Sequence, residues 1–449
     1  MDRGRLAHLL ERERDLYARR NPRSAQLFAD AGHLFGRVPM PWMNKRAGAF
    51  PIYLDTARGA TVTDVDGNSY ADFALGDTAA MAGHSPAPVL AAVQDRLTHR
   101  GGATAMMPTE DGEWVGAELT RRFGPTRWSF ALTATDANRW AIRIVRAVTG
   151  RPKILFHAYC YHGSVDESLI VTGPHGPVPR AGNVGAPTDV TTTSRVAEYN
   201  DLAALEAELA HGDVAAVLME PALTNIGIVL PDDGYLAGVR DLTRRYGALL
   251  INDETHTFSA GPGGCTRAWD LDPDLVVLGK AIGGGIPAAA FGMSAEFAER
   301  TLARTDLDLI DMGGVGGTMA GNALSLAATR ATLGEVLTEA AFEHMTGLAA
   351  DYADGVQAVI DAHGLPWSLS RLGARVEYRF APSPRNGTQS HLAQDDDLDD
   401  YLHIFLANRG VMLTPFHNMA LTCPDTTADD VRQHLDLFGA AVAQLLGDG

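Results

Sequence analysis

The stretch Leu275–Pro287 reads LVVLGKAIGGGIP: four apolar residues, a glycine, a lysine, and soon a run of three glycines. So short an apolar run without alternation is the pattern of a strand covered on both faces, as in a mostly parallel sheet. Lys280 then stands at the carboxyl end of a strand, where open α/β sheets place ligands. Alone, a lysine there reads either as a snorkelling cation or as a desolvated amine able to form a Schiff base. It is not the lysine of a nucleotide-binding phosphate loop. That motif needs Gly where Asp274 stands and Ser or Thr where Ala281 stands.

Similar runs lie on either side: Ser129–Leu132, Lys153–Phe156, Val214–Met219 and Ala248–Ile251 before it, and Ala288–Phe291 after it. Between the first two, Ala137, Trp140, Ala141, Ile144, Val145 and Val148 share one helical face, and Gly150 ends the helix. Leu236–Tyr246 has the same character. The middle of the chain is therefore α/β. The flanks differ. In TVTDVDGNSYADF (Thr61–Phe73), Asp66-Gly67 sits between alternating runs and signals a hairpin. Beyond about Leu326 the pattern is long helix, the strand RVEYRF (Arg375–Phe380), helix, a short extended run and a final helix. The acidic run Asp395–Asp400 supplies a helix N-cap and first-turn acids, or simply a solvated face. Thr172–Asp189, rich in Gly and Pro, is long for a plain connection and reads as a lid.

Charge narrows the partners. Lys and Arg number 37 against 55 Asp and Glu, a net −18 that repels nucleic-acid backbones and anionic lipid. Cys160, Cys265 and Cys423 are scattered and no metal-ligand spacing occurs, so neither a disulfide framework nor a metal site is expected. The first twenty residues lack the apolar segment of a signal peptide, and no run is long enough to span a membrane. The expected location is the cytoplasm.

Two further features fall at strand ends. In ALLINDETH (Ala248–His256), Asp253 follows a buried strand, where a carboxylate is costly unless paired. In FALTATDAN (Phe130–Asn138), Thr133, Ala134 and Thr135 lie between a strand and a helix. Their N–H groups and hydroxyls either cap that helix or face an anion. An anion cup, a carboxylate and an amine at neighbouring strand ends together match pyridoxal phosphate, which needs a phosphate anchor, a partner for its ring nitrogen and a lysine for its aldehyde.

With these motifs the sequence resembles the class III (ω-type) aminotransferases, in particular their glutamate-1-semialdehyde aminomutase and β-amino-acid transaminase branch. The likeness runs from about Gly59 to Val442 and includes GHSP (Gly83–Pro86), CYHGSVD (Cys160–Asp166), MEPALTNIG (Met219–Gly227), GGTMAGNALS (Gly316–Ser325) and NRGVMLTPF (Asn408–Phe416). It implies a fold-type I architecture: a large domain over 76–330 with a mostly parallel mixed sheet covered by helices, and a smaller α+β domain from 331–449 with the segment 1–75 packed on it. It also implies a homodimer with shared active sites and pyridoxal 5'-phosphate as cofactor. Lys280 would be the Schiff-base lysine and proton carrier, Asp253 the partner of the ring nitrogen, and Tyr161 the residue stacked on the ring. Ala134 and Thr135 would bind the phosphate, with Thr318 reaching it from the other subunit. Glu220 and Asn225 would lie near the phenolic side.

The chain departs from the family pattern in places. Ala134 replaces a glycine in the phosphate cup, so the backbone there is expected to avoid positive φ, with the Thr133 hydroxyl compensating. Leu223 replaces a common glutamine, leaving Asn225 to substitute. His256 and Thr257 are also unusual, and the imidazole is expected beside the ring. Relatives that act on amino acids use arginines for the carboxylate; here Trp42 and Phe416 fall at those places, with Arg37, Arg46 and Arg375 as possible substitutes. Arg375, Glu377 and Arg379 share one strand face, as a carboxylate site or as a surface ion-pair ladder. The resemblance implies an aminotransferase that carries an amino group from an amine or amino acid to a keto acid through Lys280 and pyridoxamine phosphate. The alternatives are intramolecular amino transfer of the aminomutase kind, racemisation, or a non-catalytic relative.

Overall fold

A computed structural model describes residues 1–45, 47–183, 185, 189–307 and 314–447. The chain divides into two compact units: Ala87–Glu339 with Pro384–Leu392, and Met1–Pro86 with Ala340–Ser383 and Ala393–Gly449.

The first unit is built on a seven-stranded sheet. Its strands are β1 (Arg127–Ala131), β2 (Lys153–His157), β3 (Ser194–Ala197), β4 (Val214–Met219), β5 (Leu249–Asp253), β6 (Leu275–Leu278) and β7 (Ala289–Met293), in the order β1-β7-β6-β5-β4-β2-β3. Only β7 runs against its neighbours, β6 and β1; the other pairs are parallel. Every residue of β4, β5 and β6 is buried. That explains the unbroken apolar runs, since each fully covered Val, Leu or Ile side chain contributes about 1.5–3 kcal/mol. The runs read from the sequence are all strands here, and β3 is an addition; its SRVA is too short and mixed to announce itself. Helix α1 (Ala134–Thr149) starts at the Thr133 cap, buries Ala137, Ala141, Ile144 and Val145, and ends at Gly150 in the left-handed region. Helix α2 (Tyr235–Tyr246) buries Tyr235, Val239 and Leu242.

The Gly/Pro-rich stretch is not a bare connection. Ile170–Gly173 and Gly176–Pro179 form an antiparallel hairpin. Arg180 then lies over the Tyr159 ring, 5.5 Å from its centre, and donates from Nη1 to the Cys160 carbonyl at 3.2 Å. Val184 and residues 186–188 of this stretch, like Arg46, lie outside the described residues.

The second unit joins residues from both flanks of the sequence. Leu54–Arg58, Thr61–Asp64 and Ser69–Asp72 form a meander, extended in parallel by Val411–Met412. The Asp66-Gly67 turn lies where the hairpin signal puts it. A second sheet pairs Ser368–Leu372, Arg375–Arg379 and Met419–Leu421. Helix Arg3–Arg20 buries Leu6, Leu9, Leu10 and Tyr17, and its buried Glu13 pairs with Arg409 at 2.9 Å. Helix Asp396–Ala407 is capped by Asp395 and carries Asp396, Asp397 and Asp399 in its first turn. Asp399, however, does not sit on a solvated face. Burial pushes its pKa up to about 7, against the opposing hydrogen bond from Asn418.

Candidate functional site

Four chain segments converge here: the carboxyl ends of β5 and β6, the start of α1 and the stretch His162–Ser164. Asp253 closes β5 and is 3% exposed. Its Oδ2 accepts from Asn138 Nδ2 and His162 Nδ1, both at 2.9 Å, and its Oδ1 accepts from the Thr255 amide at 3.1 Å. Burial opposes both charges. The hydrogen bond and attraction from His162 nevertheless hold the carboxyl below its ordinary range, and Cys160 followed by Asp253 raise the His162 imidazole well above its own. The outcome is a buried carboxylate kept anionic. Asn138 and His162 lie within the motifs quoted above, yet no role was expected of them. Asn138 belongs to the apolar face of α1, where a buried amide needs a partner, and that was the available signal.

Around the start of α1 the backbone supplies N–H groups. The Thr133 hydroxyl accepts from the Asp136 amide at 3.1 Å and donates to its carboxylate at 2.9 Å. Thr133 thus serves as the helix cap, and its oxygen is committed there. Ala134 and Thr135, the first two helical residues, keep N–H groups that the helix itself cannot satisfy. Ala134 avoids positive φ, as its Cβ requires. The Thr135 hydroxyl accepts from the Ser164 amide at 3.1 Å.

Two glycines let these segments close up. Gly279 precedes Lys280, and a Cβ on it would stand 2.8 Å from Ala134 Cβ. Gly163 has φ +80, and a Cβ on it would lie 2.9 Å from Thr135 Cα. Lys280 itself takes φ 48, a strained left-handed conformation for a residue with a Cβ. Its Nζ lies 2.8 Å from His256 Nε2. The imidazole expected beside a ring is thus bonded to the lysine.

The remaining candidates vary. Tyr161 is half-buried beside His162. Glu220 is buried at the end of β4 and accepts from the Thr224 hydroxyl. Leu223 is fully buried and Asn225 donates to the Tyr159 carbonyl at 3.2 Å. Thr318 is exposed on the turn before helix Ala323–Ala331.

The other unit holds Trp42, Phe416 and Arg375. The two aromatic rings meet edge to face, 5.0 Å apart at 90°. Arg375 is 1% exposed and donates to the Thr78 hydroxyl, so it is no part of a surface ladder. Glu377 beside it is buried and bonded to His417 at 3.3 Å. Burial works against its charge, but His417, Arg379 and Arg375 together hold its carboxyl below the ordinary range.

The sequence profile of the aminotransferase class-III family matches residues 42–440. A glutamate-1-semialdehyde 2,1-aminomutase from Desulfitobacterium hafniense is 34% identical, the alignment covering 91% of this chain and 95% of that one. Among solved structures, a glutamate-1-semialdehyde aminomutase from Pseudomonas aeruginosa PAO1 is 48% identical, with TM-score 0.95 and 99% of each chain covered. A lysine-to-alanine variant of that protein has also been solved in complex with PMP. An omega-transaminase from Sphaerobacter thermophilus is 28% identical, with TM-score 0.85 and coverage of 94% of this chain and 98% of that one.

Proposed function

Since the chain belongs to the aminotransferase class-III family and its cofactor is pyridoxal phosphate, we propose that it moves an amino group within one small amino acid, as an aminomutase does. The observation that carries this reading is the likeness to aminomutases along nearly the whole length of the chain.

The residues present fit the cofactor. A buried carboxylate is kept charged by His162 and Asn138, two backbone N–H groups face out of the α1 end, and glycines stand where a Cβ would intrude. When bound, pyridoxal phosphate supplies an aldehyde for the substrate amine and a ring that accepts electrons from the neighbouring carbon. Asp253 would keep the proton on the ring nitrogen, because a negative charge beside it favours the protonated form. Ala134 and Thr135 would hold the phosphate through their N–H groups and the threonine hydroxyl. Thr133 would act by setting where that helix begins. In a homodimer, Thr318 of the partner subunit would reach the phosphate from the other side. Tyr161 would stack on the ring, with Glu220 and Asn225 near its phenolic oxygen. Lys280 would take the proton from the amine-bearing carbon and return it at a second position.

A second reading is transfer to a separate keto acid; what supports it is that Trp42 and Phe416, which the family likeness puts at the positions of carboxylate-binding arginines, pack on each other. One experiment separates the two. The protein loaded with pyridoxal phosphate is given glutamate 1-semialdehyde with no keto acid. An isomer of the same mass supports the proposal; turnover of amines only after a keto acid is added supports the second reading instead.

A further inference from the structure

We infer that His256 is a positioning residue for the amine of Lys280, an inference that rests on the reading of Lys280 as the reactive lysine. The sheet itself brings them together. Strands β5 and β6 are parallel, with Ile251, Asn252 and Asp253 beside Leu275, Val276 and Val277. Past the last pair both segments leave the sheet, one into the turn bearing His256 and the other into the short turn Lys280–Gly283, and there Nε2 and Nζ stand 2.8 Å apart.

Both ends of this contact are held. The turn bearing His256 is anchored by the adjacent Glu254, which is fully buried. Its carboxylate accepts from the Thr257 hydroxyl, from the Cys265 amide at 3.1 Å and from the Thr266 hydroxyl at 2.6 Å. Lys280 is fixed by its strained backbone and by the close packing of Gly279 on Ala134. A lysine amine that must collect a proton from carbon needs its lone pair aimed at that carbon. An amine on four freely rotating methylenes does not keep such an aim. If His256 Nε2 accepts one amine N–H, the lone pair of Nζ is left pointing away from the imidazole. The contact thus fixes the direction of the base without itself touching the reacting atoms.

The test uses three variants of the full chain. In the protein without cofactor, the imidazole nitrogens are observed by 15N NMR, and His256 is assigned by its loss in His256→Leu. Replacing Lys280 with Met is expected to move the His256 Nε2 signal. In the loaded enzyme, His256→Leu is expected to lower kcat roughly tenfold, the size of one hydrogen bond, with KM changed less than about twofold. His256→Gln, whose amide oxygen can accept the same N–H, is expected to recover to within about threefold of the parent. An Nε2 signal indifferent to Lys280→Met overturns the contact. Equal losses in the Leu and Gln variants, or none in either, overturn the positioning role. If borohydride reduction of the loaded enzyme fixes the cofactor on a lysine other than 280, the functional reading falls and this role with it; an unmoved kcat in His256→Leu removes the role alone.

Discussion

Gly279 and Ala134 pack so closely that a single methyl group on the glycine would come within 2.8 Å of the alanine Cβ. The lysine-bearing turn and the start of α1, remote in sequence, are thereby fixed at a spacing that only glycine permits. Gly279→Ala should separate the two segments, lowering stability by about 1–3 kcal/mol through overpacking. It should also weaken cofactor binding by more than this loss of stability explains. Thermal melts with and without added pyridoxal phosphate read both effects, and equal shifts in the two would count against the second.

Asp253→Asn should abolish more than one function of the carboxylate. Activity is expected to fall at least about a hundredfold, as the ring nitrogen loses its charged partner. Stability should fall too, because a buried protonated His162 is left without its counter-ion, a loss on the order of 3–5 kcal/mol. The pH dependence has a definite sign. The raised imidazole contributes fully below 6.5 and loses its contribution as pH rises through its elevated folded value. The lowered carboxyl contributes fully above 3.8 and loses it as pH falls through its depressed folded value. Denaturation of parent and variant across pH should show the gap narrowing once the pH climbs beyond the raised imidazole value.

Asp399 behaves in the opposite sense. Its folded pKa, pushed up to about 7 by burial, exceeds the ordinary 3.8, so its effect on stability worsens as pH rises between those values. Asp399→Asn keeps an oxygen for Asn418 to bond and removes the charge. The variant should be more stable than the parent at pH 8, on the order of 2 kcal/mol, and no more stable near pH 4. Urea denaturation at the two pH values tests this.

Arg375→Ala removes a buried guanidinium that bonds Thr78 and helps keep Glu377 charged. A cost of about 3–5 kcal/mol is expected, since it leaves a buried charge less compensated. Kinetics of the surviving protein address the substrate. Unchanged constants for every carboxylate substrate would exclude Arg375 from carboxylate recognition.

The sheet was legible because β4, β5 and β6 are covered on both faces, so their apolar runs carry no polar interruption. The positions of Lys280 and Asp253 at the ends of buried strands were legible because a charged residue interrupts each apolar run there. What escaped has physical reasons. Helix Arg3–Arg20 places Leu6, Leu9, Leu10 and Tyr17 on one face, a helical spacing present in the sequence but diluted by the charged residues between them. The His162–Asp253–Asn138 arrangement joins residues from three segments, and linear spacing does not carry such a meeting. The role of the Thr133 hydroxyl depends on where α1 starts, which decides whether it faces a ligand or its own helix. The His256–Lys280 contact is made between the turns that follow two neighbouring strands, and a meeting between segments is a property of neither segment by itself.

The unit that contains both flanks of the sequence sets an order for synthesis. Helix Arg3–Arg20 leaves the ribosome about 400 residues before Arg409, the partner of its buried Glu13, and Gln444, whose carbonyl accepts from Arg5 at 2.7 Å. The sheet-bearing unit between them is mostly one continuous stretch and can close while the first helix is still waiting. During that interval Leu6, Leu9 and Leu10 lack most of their cover. A nascent chain stalled before residue 409 should therefore present a ready surface for chaperones.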